Sequence, residues 1–262
     1  MIKLAFPFVL SLASVQATVV ISDSFTGLGD GASLNGRTPE TSLLGGNWQS
    51  ATANLLGDGA GGVEATFNST DSARTAGIDL GVGFLSANPG IYELSVDVFN
   101  PGASDSSWLA LGFTQGMNVA SNLVGNAGNP WMLYRYTGNV NVYGGGGVSN
   151  QRASEVPVAT HGAATGTMHN LKLILDTSAA AWTLQAFIDN YEFDLNGGSA
   201  GTTYTFASNP TSARYVSFGN GTNGVTTAGG FDNFLLDFTP VPEPSVLVLL
   251  GGLGVGALRR RR

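Results

Sequence analysis

Alternation with a period of two constrains this chain more than any other feature. Tyr92, Leu94, Val96 and Val98 are separated by Glu93, Ser95 and Asp97. Leu171, Leu173 and Leu175 follow the same rhythm, with Lys172 between the first two and Ile174 breaking the polar face. Trp182, Leu184, Ala186 and Ile188 alternate with Thr183, Gln185 and Asp189, and Phe234, Leu236 and Phe238 with Asn233 and Asp237. Successive side chains of a strand point to opposite faces, so each segment lays one apolar face on a core and turns the other to water. Shorter candidate strands span 19–25, 63–67, 108–113, 131–136, 140–143, 204–206 and 215–218. Turn-forming residues lie between nearly all of them: Asn100-Pro101-Gly102, Asn139, Asp189-Asn190, Asn196-Gly197-Gly198 and Asn220-Gly221. Before residue 245 no stretch has a 3.6-residue apolar repeat. Many short antiparallel strands imply an all-β sandwich or jelly roll, with 19–25 beside 231–238, because first and last strands often neighbour each other in such folds.

Composition agrees. The 38 glycines and the 11% of charged residues favour turns over helices. Between residues 18 and 240 there are six basic residues against 17 acidic ones. That balance argues against nucleic acid, whose phosphates need a basic surface. The absence of cysteine excludes disulfides, thiolate metal sites and Cys nucleophiles.

Both ends carry processing signals. Lys3, the apolar run 4–13 and the small residues Val15 and Ala17 have the order of a signal peptide, residues 1–17, cleaved after Ala17. At the other end, residues 241–262, Pro242-Glu243-Pro244 precedes 14 uncharged residues, 245–258, and then Arg259, Arg260, Arg261 and Arg262. As a helix the uncharged run spans roughly 21 Å, short of the roughly 30 Å hydrocarbon core. Snorkelling arginines and local thinning of the bilayer make up the difference. The arginines stay cytoplasmic by the positive-inside rule, so the segment 18–240 lies outside the inner membrane. Motif, apolar helix and Arg cluster together resemble the PEP-CTERM sorting signal. That resemblance implies cleavage near Pro242, Glu243 and Pro244 by an exosortase, transient inner-membrane anchoring, and a final place at the surface or in the exopolysaccharide matrix of a Gram-negative bacterium.

A second resemblance covers residues 18–240, taken as one domain. Ser22-Asp23-Ser24-Phe25, Leu34-Asn35-Gly36-Arg37-Thr38-Pro39-Glu40 and Gly46-Asn47-Trp48 look like the opening of concanavalin A-like lectin/glucanase (LamG-like) domains. The hairpin from 171–176 to 182–189 and the closing Phe231-Asp232-Asn233-Phe234 fit the same family. The resemblance implies a jelly-roll β-sandwich, a fold used for glycan binding, glycan cleavage and adhesion. Fold alone does not choose among these.

Catalytic constellations are scarce. Glycoside hydrolysis needs two carboxylates flanking the scissile bond, and the Glu-x-Asp-x-Glu strand of glucanases in this fold is absent. The pairs Glu93 with Asp97 and Glu192 with Asp194 each share a strand face, where solvated charges are expected. Gly197-Gly198-Ser199-Ala200-Gly201 matches the nucleophile-elbow spacing but is followed by a strand pattern, not a helix. Gly57-Asp58-Gly59-Ala60-Gly61-Gly62 has Gly-x-Gly-x-x-Gly spacing but precedes a strand, so it is no dinucleotide loop. Gly144 to Gly147 lack the Lys-Ser/Thr of a phosphate loop and read as a flexible loop. His161 and His169 have no zinc-like spacing and read as loop or surface residues.

Two sites remain as candidates. Asp23 and Asp232, on strands expected to be neighbours, are candidate ligands of a structural calcium, which takes oxygen donors; no other cofactor is expected. Tyr134 and Tyr136 share one face of the 131–136 strand, with Trp131 and Arg135 on the other. A hairpin through Thr137-Gly138-Asn139 is expected to bring Tyr143 to Tyr134 and Tyr136 as an aromatic sugar platform. The chain therefore reads as a non-enzymatic exported protein that associates with polysaccharide. A divergent glycoside hydrolase or polysaccharide lyase, and a purely structural surface protein, are the rival readings.

Overall fold

The computed structural model describes residues 16–51, 54–65, 73–102, 107–221 and 229–241. Apart from Gln16 and Ala17, the signal peptide, the Pro242-Glu243-Pro244 motif, the apolar segment 245–258 and Arg259–Arg262 lie outside the described residues. Among the described residues no helix is long and apolar enough to cross a membrane.

In chain order the elements are β1 (Thr18–Asp23), β2 (Thr41–Ser42), β3 (Leu55–Gly57), β4 (Val63–Ala65), β5 (Ala73–Asp79), α1 (Phe84–Ala87), β6 (Gly90–Phe99), β7 (Trp108–Thr114), β8 (Gly128–Arg135), β9 (Val140–Tyr143), β10 (Gln151–Val156), α2 (Val158–His161), β11 (Met168–Asp176), β12 (Thr183–Ile188), β13 (Tyr191–Glu192), β14 (Tyr204–Thr205), β15 (Tyr215–Gly221) and β16 (Gly229–Pro240). They form two antiparallel sheets. One has ten strands in the order β13-β12-β11-β6-β16-β1-β2, with β14 on β12 and the β3–β4 hairpin on β16. The other has six, in the order β10-β9-β8-β7-β15-β5. First and last strands are neighbours as expected, with Thr18 opposite Phe238 and Asp23 opposite Phe234.

The period-two segments do what their pattern requires. Tyr92, Leu94, Val96 and Val98 of β6, and Leu171, Leu173 and Leu175 of β11, are fully buried in one cluster with Leu109, Leu111 and Phe113 of β7. The two sheets therefore pack face to face, each buried aliphatic contributing roughly 1.5–3 kcal/mol of transfer free energy. Strict alternation fails once, usefully. Phe231 and Phe234 are three apart, yet both face the core. A bulge between Asp232 and Leu235, with Asn233 at φ 49°, resets the period between them. At the centre Phe218 of β15 touches Phe25, Trp48, Phe231 and Phe234, with ring centroids 4.5–5.9 Å away.

His161 is buried at the end of α2, not at the surface as its sequence context suggested. Its Nδ1 accepts the Ala163 N–H at 3.1 Å, so Nε2 carries the proton and donates to the Gly138 carbonyl at 3.1 Å. Both ring nitrogens are satisfied only in the neutral form. Burial holds its pKa below the usual 6.5, against a weaker upward pull from the Gly138 carbonyl. The unfolded chain thus binds this proton at higher pH than the fold does. The stability it lends is complete above the unfolded value and falls as the pH drops toward the lowered folded value. His161→Gln, which stays neutral, is expected to flatten the loss of stability between about pH 7 and pH 5. Chemical denaturation across that window measures it; an unchanged slope would remove His161 from the account.

Candidate functional site

Four strands that are not consecutive in the chain build one transverse row. β4 pairs with β16, β16 with β6 and β6 with β11. In that register Glu64 faces Gly230, Gly230 faces Phe99 and Phe99 faces Met168. Residues directly opposite across antiparallel strands project from the same face. This is the outer face, because the adjoining Val63, Val98 and Phe231 belong to the core. Gly230 contributes no side chain, so the row has a gap between Glu64 and Phe99, and bare backbone becomes the floor of a trough.

The turn between β3 and β4 closes one side. Asp58 accepts the N–H groups of Ala60 and Gly62 at 2.7 and 2.8 Å, which fixes the turn. A Cβ on Gly62 would stand 2.8 Å from Asp58 Oδ2 and 3.1 Å from the Phe231 carbonyl, so only glycine lets the turn lie this close to β16. The trough encloses about 450 Å³, inside the ~300–1,000 Å³ span of small-molecule sites. Phe99 and Met168, 37% and 49% exposed, form an apolar wall. Asp58, Glu64 and Asp232 form the polar wall, and no Lys, Arg or His lines the trough among the described residues. Partial burial holds the Asp232 pKa above the usual carboxylate value, reinforced by the negative charges of Asp97, Asp58 and Glu40 and opposed by the Asn233 N–H.

The aromatic platform expected from the sequence does not form. Tyr134 and Tyr136 face the core and are 0% and 1% exposed, with the Tyr134 hydroxyl donating to the Ala163 carbonyl at 2.9 Å. Tyr143 is opposite Trp131, not Tyr134, and so projects from the other face of the sheet. There its ring stacks on Trp131 at 4.4 Å and 9°, within a buried cluster under Leu123. The Gly144–Gly147 loop covers this cluster, and Trp131 Nε1 donates to the Gly147 carbonyl at 2.6 Å. None of the three tyrosines can meet a sugar ring in this arrangement.

Asp23 and Asp232 do not form the expected calcium pair. Asp23 is opposite the core residue Phe234, whereas Asp232 is opposite the outward Asp97; the intervening bulge puts them on opposite faces. Asp23 is fully buried and already neutralised by Arg37 at 2.9 Å. Among the described residues no group of three or more His, Cys, Asp or Glu could hold a metal ion. Of the acidic pairs, Glu93 meets Lys172 at 3.4 Å, and Asp97 accepts from Asn170 and Asn233. Glu192 accepts from Gln185 at 2.8 Å, and Asp194 caps the turn at Asn196 and Gly198. That turn is the Gly-x-Ser-x-Gly segment, which is therefore a connection. The Gly-x-Gly-x-x-Gly segment, set aside on sequence grounds, is the turn that walls the trough.

No family model matches the chain, and no curated protein matches it significantly in sequence. Its fold, by contrast, has many solved counterparts. An endo-1,3-beta-glucanase from Streptomyces sioyaensis aligns over 89% of this chain and 100% of its own, at 12% identity and a TM-score of 0.55. The carbohydrate recognition domain of Emp47p aligns over 88% and 100%, at 12% identity and a TM-score of 0.50. The likeness is one of architecture: the chain has the concanavalin A-like lectin/glucanase β-sandwich.

Proposed function

We propose that this is an exported, non-enzymatic glycan-binding protein of the bacterial envelope, and that the trough at Gly230 is its glycan site. The observation that carries the reading is the trough itself. It sets a ring and a thioether against carboxylates over bare backbone, and so offers one surface for the apolar face of a pyranose and another for its hydroxyls. The neighbours in fold, a glucanase and a carbohydrate recognition domain, support a sugar as the occupant. The domain is residues 18–240, and the polysaccharide of the surrounding matrix is its natural partner. Export and exosortase sorting rest on the two terminal signals. They accord with β1 beginning at Thr18, the residue after the cleavage point, and β16 ending at Pro240, before the Pro-Glu-Pro motif.

A second reading, a divergent glycoside hydrolase, is favoured by the raised pKa of Asp232, which suits a proton donor. Against it, Asp58 is committed to holding its own turn.

The test is retention of the full chain on an array of bacterial and plant polysaccharides, with Gly230→Leu as the diagnostic variant. A Cβ at Gly230 meets nothing closer than 3.6 Å, so a side chain can start there without a clash, and on this outer face it projects into the trough. Retention is expected to fall at least tenfold, about 1.4 kcal/mol, with the melting temperature unchanged. Equal retention of the variant would dismiss the trough, and release of new reducing ends would favour the hydrolase. Intact mass of the same protein from its producer should lack residues 1–17 and the Arg259–Arg262 cluster; their retention would refute the sorting assignment.

A further inference from the structure

We propose that the trough selects glycans bearing protonated amino groups, that is, de-N-acetylated amino-sugar polymers, over neutral ones. This rests on the glycan-binding reading and names the class of sugar. The polar wall is built of carboxylates alone: Asp58, Glu64 and Asp232. Asp97, opposite Asp232 in register, stands behind them. Among the described residues nothing basic is at hand to neutralise this wall. Arg37, Arg135, Lys172 and Arg214 are each paired with a carboxylate elsewhere: Asp23, Glu155, Glu93 and Asp79. Arg74 donates to Asn54, and Arg152 lies over the Tyr204 ring. The segments 66–72, 103–106 and 222–228 contain no Lys, Arg or His in sequence.

A neutral sugar entering the trough would strip water from carboxylates and return only hydroxyl hydrogen bonds. A sugar ammonium returns charge-assisted bonds and relieves the repulsion among the acids. Burial above all, with a smaller contribution from the negative charges of Asp97, Asp58 and Glu40, raises the Asp232 pKa. A ring-bearing ligand fits better than a bare amine. An ammonium group alone would leave most of the 450 Å³ and the whole Phe99–Met168 wall without contact.

The experiment titrates the full chain, in mild detergent, with four probes: a glucosamine tetramer, its fully N-acetylated counterpart, a neutral glucose tetramer and spermidine. The glucosamine tetramer is expected to bind at least tenfold more tightly than the other three and to weaken as salt is raised. Glu64→Gln with Asp232→Asn should lower that affinity on the order of tenfold, since each exposed charge pair contributes modestly. The control Asp30→Asn with Asp194→Asn, which changes the net charge equally outside the trough, should bind like the parent. Neutral tetramers binding as tightly, with the same loss in Gly230→Leu, would overturn the charge selection while the glycan site stands. Spermidine binding as tightly as the glucosamine tetramer would overturn the sugar. No binding of any tetramer would overturn both this proposal and the reading beneath it.

Discussion

Asp23→Ala is expected to cost about 3–5 kcal/mol of folding stability, the range for breaking a buried ion pair from one side. Asp23 is fully buried at the end of β1, and four donors converge on it. Arg37 reaches it through Nε at 3.0 Å and through its terminal nitrogen at 2.9 Å. The Trp48 indole donates to Oδ2 at 2.8 Å and the Phe25 backbone N–H to Oδ1 at 2.9 Å. Alanine takes the carboxylate from the guanidinium, which is 18% exposed and keeps only the Thr26 carbonyl at 3.0 Å and Glu40 at 3.9 Å, and leaves the indole N–H without its acceptor. The hydrogen bonds that Asp23 accepts hold the Arg37 pKa up in the parent, and without them the guanidinium still keeps its charge, because arginine does not lose its proton in proteins. Phe25 sits at φ 55°, a left-handed conformation held in part by the bond that Asp23 accepts. Asp23→Asn keeps one acceptor for the indole and should cost less. Urea denaturation with an unchanged m-value gives the comparison; a loss below about 1 kcal/mol for Asp23→Ala would show that water replaces the carboxylate.

Phe218→Ala should be of similar size, about 3–5 kcal/mol, by cavity formation. Its ring is fully buried and is the contact shared by Phe25, Trp48, Phe231 and Phe234. Phe231 and Phe234 belong to β16 of the facing sheet, and Phe25 and Trp48 to the connections after β1 and after β2, so the hole cannot close by moving one element. For a domain of this size the melting temperature should drop by roughly 10 °C. Phe218→Leu, which fills most of the volume, should recover more than half of that. A drop of only ~1–2 °C for the alanine variant would mean that the aromatic cluster repacks.

These two sites show which parts of the molecule are legible in the sequence. The alternation of β6, β11 and β12 declares strands and faces together, because every second residue is large and apolar. The pairing of β1 with β16 follows from fold class. β5 escapes notice because its inward residues are Ala76 and Ile78 with Gly77 between them, too little apolar mass for a periodic signal. β10 escapes because Ala153 is its only buried residue, as befits an edge strand. The misplaced tyrosines have another cause. Parity within the 131–136 strand correctly separates Tyr134 from Trp131. The face of Tyr143, however, depends on the hairpin register, which puts Tyr134 opposite Val140 and Tyr143 opposite Trp131. A shift of one residue would have reversed that outcome. The trough is harder still to foresee, since it exists only where four non-consecutive strands align a glycine between Glu64 and Phe99.

β16 also fixes which way the trough points. Gly230 and Pro240 lie ten residues apart on it, about 30 Å at ~3.3 Å per residue. The strand is in effect a spar, with the ligand mouth at one pole and the exit of the chain at the other. Thr18, opposite Phe238, brings the start of the domain to the same pole as the exit. Under the proposed sorting, a tether attached after residue 241 would leave the trough about a strand-length from the surface it is tied to. The proposed trimming at either end would take place at the far pole from the trough, and a label or solid support attached at either end leaves the trough free.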